Sequence, residues 1–108
     1  MGNRFEQLLG LATKAGKTVS GEFPVEQAVK KQQAYLVILA NDASGNTRKH
    51  FQDMCSYRGI PVIITNCSKT ELAKYTGKSG GETERASAAV LDQGFAEKLI
   101  SIIREGSI

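Results

Sequence analysis

Three groups of residues in this sequence combine types and spacings that chemistry could use. The first is Gly77-Lys78-Ser79, which looks like the end of a phosphate-binding loop. That motif needs a further glycine five residues before its second one, so that the backbone can wrap the phosphates. Leu72 occupies that position, and the segment precedes a predicted strand instead of following one. A nucleotide triphosphate site is not supported, and the stretch reads as a surface loop. The second group is His50, with Asp53 at i+3 and Cys55 nearby. Residues five apart on a helix point in different directions, so no nucleophile–base pair forms. His50 reads as a solvated helix face and Cys55 as a core thiol. No serine lies in a G-x-S-x-G turn, and an enzyme is not expected.

The third group is the turn Ser20-Gly21-Glu22-Phe23-Pro24, which reads as the start of a helix. A helix N-terminus offers unpaired N–H donors and a partial positive charge. Glu22 and Glu26 occupy its first two turns. Carboxylates there repel phosphate but can accept hydrogen bonds from base amino and imino groups. Lys17, Lys31, Arg48, Lys78 and Arg85 are expected around the same edge, where they would hold backbone phosphates. Neutralising about five phosphates predicts a log–log salt slope of roughly −3.5 to −4.5. From spacing alone, nucleic-acid binding and a merely solvated charged rim both remain open.

The elements that must position this turn are legible from periodicity. Phe5, Leu8, Leu9, Ala12 and Ala15 recur at helical spacing over residues 3–15. Asn3 and Glu6 form a capping-box pattern at the start, and Gly16 is a natural stop. Gly10, inside this helix, is expected to permit close packing against a strand. Thr18–Ser20 reads as a short strand, and Ser20-Gly21 as a cap for the next helix. Pro24 fits in that helix's first turn, and Val25, Ala28 and Val29 form its apolar face. The run 35–40, YLVILA, is apolar on both faces, as a strand covered on two sides would be. Asn41-Asp42-Ala43-Ser44 turns into a helix with Phe51, Met54 and Cys55 inward, ended by Arg58-Gly59. A strand over 60–65, a short helix opened by the box Ser68-x-x-Glu71, a strand over 86–91 and a final helix capped by Asp92 complete the chain. Strict alternation of helix and strand implies a mostly parallel or mixed sheet with helices on both faces.

At 108 residues the chain is expected to form one domain. Its net charge of +3 permits nucleic acid without demanding it. No apolar run approaches the ~20 residues that span a bilayer, and no signal-peptide pattern opens the sequence. A cytoplasmic, monomeric protein with no membrane and no small-molecule substrate is expected. With one histidine, two cysteines and no CxxC, no metal site or other cofactor is expected.

The segments LLGLATKAGK, VSGE, AYLVILANDAS with Asn46-Thr47-Arg48-Lys49, and ASAAVLDQGFAEKLI together resemble the bacterial branch of the ribosomal protein L-seven-Ae/L-thirty-e superfamily. The resemblance covers nearly the whole chain. It implies a three-layer α/β/α sandwich around a four-stranded mixed sheet. It also implies ribosomal-protein-like binding of kink-turn RNA, a bent duplex with a short bulge and tandem sheared G·A pairs. By that resemblance the base-reading positions are Gly21, Glu22, Phe23, Pro24 and Gln27, then Asp42, Ser44 and Arg48, with the loop 78–86 over the bulge. The family's binders read G-x-N-E-x-x-K at this helix start; here Phe23, Pro24 and Gln27 stand at the Asn, Glu and Lys positions, and Ser20 replaces a basic residue. This set implies backbone, shape and stacking contacts in place of a full set of side-chain hydrogen bonds. It is equally what a protein-interaction module on the same fold, without kink-turn specificity, would carry.

Overall fold

The computed structural model describes residues 4–76 and 84–105. The elements run α1 (Arg4–Lys14), β1 (Thr18–Ser20), α2 (Glu22–Lys30), β2 (Leu36–Leu39), α3 (Gly45–Arg58), β3 (Val62–Ile64), α4 (Lys69–Thr76), β4 (Ser87–Val90) and α5 (Gln93–Arg104). The four strands form one mixed sheet in the order β1-β4-β2-β3. β4 is antiparallel to both neighbours, with Ser20 opposite Ala88 and Leu39 opposite Ser87. β2 and β3 are parallel, with Leu39 opposite Ile64.

Alternation along the two central strands divides the core into two layers, because successive side chains leave a strand on opposite faces. Leu36, Ile38, Ala88 and Val90 pack against Phe5 and Leu9 of α1, Leu72 of α4 and Leu99 of α5. Val37, Leu39 and Ala89 pack against Val25 and Val29 of α2 and Phe51 and Cys55 of α3. The result is an α/β/α sandwich. Among the described residues, no helix is long and apolar enough to cross a membrane.

Helix ends follow their sequence signals. The Ser68–Glu71 capping box closes in both directions: Glu71 N–H donates to Ser68 Oγ at 3.2 Å, and Ser68 N–H to Glu71 Oε1 at 2.9 Å. Asp92 Oδ2 accepts from Phe95 N–H at 2.9 Å to cap α5, and Gly59 ends α3. Asn3, the expected box partner of Glu6, lies outside the described residues. Glu6 ties α1 to α4 and to the turn before it by accepting hydrogen bonds from Tyr75 Oη and Cys67 Sγ, each at 3.2 Å.

Gly10 differs from expectation. A Cβ there would meet nothing within 4 Å, so close packing does not require this glycine. Gly10→Ala is expected to raise stability by about 0.5–1 kcal/mol by removing the backbone-entropy cost of a mid-helix glycine. An unfolding midpoint in urea that stays put or falls would contradict this.

Candidate functional site

The registers place the C-terminal ends of β1, β2 and β3 and the N-terminal end of β4 at one end of the sheet. The N-termini of α2, α3 and α4, which follow those three strands, therefore open on the same side. Each presents backbone N–H groups without intrahelical partners. The turns are tied together by backbone bonds, Gly21 N–H to Ser87 O at 3.0 Å, Ala40 N–H to Ala86 O at 2.9 Å and Asn41 N–H to Cys67 O at 2.8 Å.

Gly21 leaves β1 with φ 96° and ψ 155°, a region essentially closed to residues with a Cβ. It caps α2 through its backbone, its carbonyl accepting from Val25 N–H at 3.1 Å, with no side-chain cap. Ser20, read from the sequence as part of the cap, is engaged elsewhere. Its Oγ donates to Thr76 O at 3.4 Å and accepts from Arg85 Nε at 3.0 Å. That contact draws the Arg85 guanidinium across the turn, with one terminal nitrogen 3.6 Å from where a Gly21 Cβ would stand. Beside it, Thr18, Val19, Ser20, Pro24, Thr76 and Arg85 line a cleft of about 220 Å³. Glu22, Phe23 and Pro24 are exposed on the first turn of α2, Phe23 at 68%. Pro24 lacks an N–H where the helix leaves donors unpaired anyway. Gln27, half-buried one turn on, shares a face with Phe23 at i,i+4 spacing.

The β2–α3 turn is held by its own polar side chains. Ser44 Oγ accepts from Thr47 N–H at 3.1 Å, capping α3. Arg48 closes the turn by donating to Ala43 O and Asn41 O, each at 3.1 Å. Asp42 reaches sideways, its Oδ1 accepting from Lys69 N–H at 2.8 Å at the start of α4. Asp42, Ser44 and Arg48 thus first of all shape this surface.

Seven of the twelve residues singled out by sequence, Gly21, Glu22, Phe23, Pro24, Asp42, Ser44 and Arg85, sit in or beside these turns, with Gln27 and Arg48 one turn into their helices. Lys17 and Lys31 do not join them. Lys17 precedes β1, where its carbonyl accepts from Leu91 N–H after β4, and Lys31 is the C-cap of α2. Both lie at the opposite end of the sheet, Lys17 across the three residues of β1 and Lys31 across the nine of α2, about 10 Å and about 13 Å. Lys78 and most of the loop 78–86 lie outside the described residues.

His50 is exposed on α3, as its sequence reading has it, and it also makes a contact that the reading did not include. Its Nε2 hydrogen bonds to Glu26 Oε2 across the gap between α3 and α2, while Asp53 pairs with Lys49 at 3.3 Å. The imidazole sits edge-on to Phe51, ring centroids 5.0 Å apart. Glu22, Glu26 and His50 bring their donor atoms within 4.8 Å of one another. The pairing escaped sequence analysis because 24 residues separate Glu26 from His50 and only the packing of α2 on α3 brings them together. Cys55 and Cys67 are both buried. Burial pushes the Cys55 thiol up to about 11, and burial with hydrogen bonding to Glu6 pushes Cys67 up to about 12, far from the range of a reactive thiolate.

Residues 3–100 match the Ribosomal protein L7Ae/L30e/S12e/Gadd45 family, and the chain belongs to it. It is 45% identical over 96 residues to the RNA-binding protein YlxQ of Bacillus subtilis (strain 168), covering 89% of this chain and 91% of that one. A second RNA-binding protein YlxQ, from Enterococcus faecium, is 36% identical over 104 residues, covering 94% and 95%. Among solved structures, a protein with unknown function from Bacillus halodurans C superposes with a TM-score of 0.85 at 36% identity, covering 95% of this chain and 99% of that one. The Giardia lamblia 15.5kD RNA binding protein superposes with a TM-score of 0.73 at 19% identity, covering 93% and 84%, a likeness of fold.

Proposed function

We propose that this chain is a non-catalytic, cytoplasmic, monomeric RNA-binding protein that recognises kink-turn RNA with the end of the sheet where α2, α3 and α4 begin. The observation that carries the reading is the Gly21 turn. It combines a backbone that only glycine adopts readily, an arginine drawn across it by Ser20, and an exposed aromatic one residue into the helix. The two YlxQ relatives, named as RNA-binding, support it.

Gly21 lets the RNA come close to the backbone. The Glu22 carboxylate and Gln27 amide address base edges, the carboxylate accepting from guanine amino and imino groups. Phe23 supplies a stacking face, a contact worth about 1–3 kcal/mol per base. Arg48 and Arg85 hold phosphates, and Asp42 and Ser44 hold the shape of the neighbouring turn. With Lys17 and Lys31 at the far end, Arg48, Arg85 and Lys78 remain as phosphate contacts. About three neutralised phosphates give a log–log salt slope of roughly −2.1 to −2.7, shallower than the charge pattern alone suggests.

The test is binding to a kink-turn duplex beside the same RNA with both sheared G·A pairs replaced by Watson–Crick pairs. The expected result is a loss of at least about 100-fold, more than about 2.7 kcal/mol, on replacement. Equal affinity for the two duplexes would overturn kink-turn recognition. It would leave exposed Phe23 and Pro24 to the rival reading, a docking surface for a protein partner.

A further inference from the structure

From the packing of α2 on α3 we infer that Glu22, Glu26 and His50 form a binding site for one divalent transition-metal ion of the zinc type. Glu22 and Glu26 are four residues apart and so share a face of α2. That face turns toward α3, where His50 already reaches Glu26 through Nε2. The three donor atoms lie within 4.8 Å of one another. Metal–ligand bonds of about 2.0–2.2 Å bring the donors of one ion to roughly 3–4 Å apart, so small side-chain rotations close the site. The ring is steadied by its edge contact with Phe51, which is fully buried.

The charge around the cluster points the same way. Among the described residues, no lysine forms an ion pair with Glu22 or Glu26. Two carboxylates and an imidazole converge within 4.8 Å, and a dication would offset both carboxylate charges. A mixed imidazole–carboxylate set suits zinc, cobalt or nickel, whereas all-oxygen sites suit magnesium and calcium. Glu22 is exposed, which leaves water free to complete the coordination. Thiols do not compete, since both cysteines are buried and held protonated at neutral pH.

The experiment titrates the full chain with Zn²⁺ by calorimetry and with Co²⁺ by visible absorption at neutral pH. One equivalent is expected to bind, unaffected by millimolar Mg²⁺. Because the chain has a single histidine, its imidazole resonances in an NMR spectrum report on the site directly and are expected to move on Zn²⁺ addition. H50Q and E26Q should each weaken binding at least tenfold, with circular dichroism checking that the fold persists. E22Q, which removes a ligand without breaking the Glu26–His50 contact, should weaken it as well. The inference is overturned if millimolar Zn²⁺ leaves the histidine resonances in place, or if folded H50Q binds as the native chain does.

Discussion

Phe51→Ala is expected to lower the stability of this protein by about 3–5 kcal/mol, the range for deleting a buried phenyl ring. The side chain is fully buried between α3 and the sheet, in one cluster with Val25, Val29, Val37, Leu39, Cys55 and Ala89. Alanine removes most of its apolar area, and Val37 and Leu39 are fixed in the central strand β2 and cannot close the gap. A small domain has only about 5–15 kcal/mol of stability in all, so the urea midpoint should fall far. The loss should also reach the functional end of the sheet, because Ser44, Arg48 and His50 all ride on α3 or its cap. A change below about 1 kcal/mol would mean that α3 does not pack as described.

Gly21→Ala is expected to cost about 1–3 kcal/mol of stability, the usual scale for a strained backbone conformation. The cause is conformational and not steric. A Cβ would meet Arg85 and the Pro24 ring at 3.6 Å, an ordinary contact distance, but φ 96° with ψ 155° is poorly accessible to alanine. Relaxing that strain shifts the Gly21 N–H away from Ser87 O and the Gly21 carbonyl away from Val25 N–H. RNA affinity should therefore fall at least about tenfold, equivalent to about 1.4 kcal/mol. Gly21→Val should be worse on both counts, because a β-branched residue tolerates positive φ still less than alanine. Chemical denaturation and a binding isotherm on the same preparations check both effects. Full stability in Gly21→Ala would show that the turn tolerates a side chain. The same replacement at Gly10 carries the opposite sign, so the pair separates a glycine that the fold uses from one that it merely tolerates.

Much of the architecture was legible in advance because each element carries its own local signal. Apolar spacing marked the first three helices, and the Ser68–Glu71 box and Asp92 marked the starts of the last two, which the structure reproduces. Strand ends were read one or two residues too long, as at 60–65 against Val62–Ile64. The apolar pattern continues past the last ladder pairing there. The candidate site was legible only in part. Placing the Ser20–Pro24 and Asn41–Ser44 turns together was correct, since β1 and β2 both run toward the same end. Placing Lys17 and Lys31 with them was not. Both flank the same strand and helix, but at the ends remote from Gly21, and sequence proximity conceals the length of a helix. The Glu26–His50 contact and the Ser20–Arg85 contact were invisible for the converse reason. They join residues 24 and 65 apart, and no periodicity reports on which elements become neighbours.

The strand order also sets when this protein can fold. β1 and β2 never pair with each other; β4, the last strand in the chain, lies between them. The bonds that join β1 to the sheet link Thr18 to Val90 and Ser20 to Ala88, spanning most of the chain. A nascent polypeptide ending before Ser87 holds only the parallel pair β2–β3 and unpaired edges on β1 and β2. Domains generally fold as units during synthesis, and non-local pairings are slow to form. Assembly should therefore wait until β4 has emerged, and truncations that remove β4 should give aggregation-prone chains instead of smaller folded proteins.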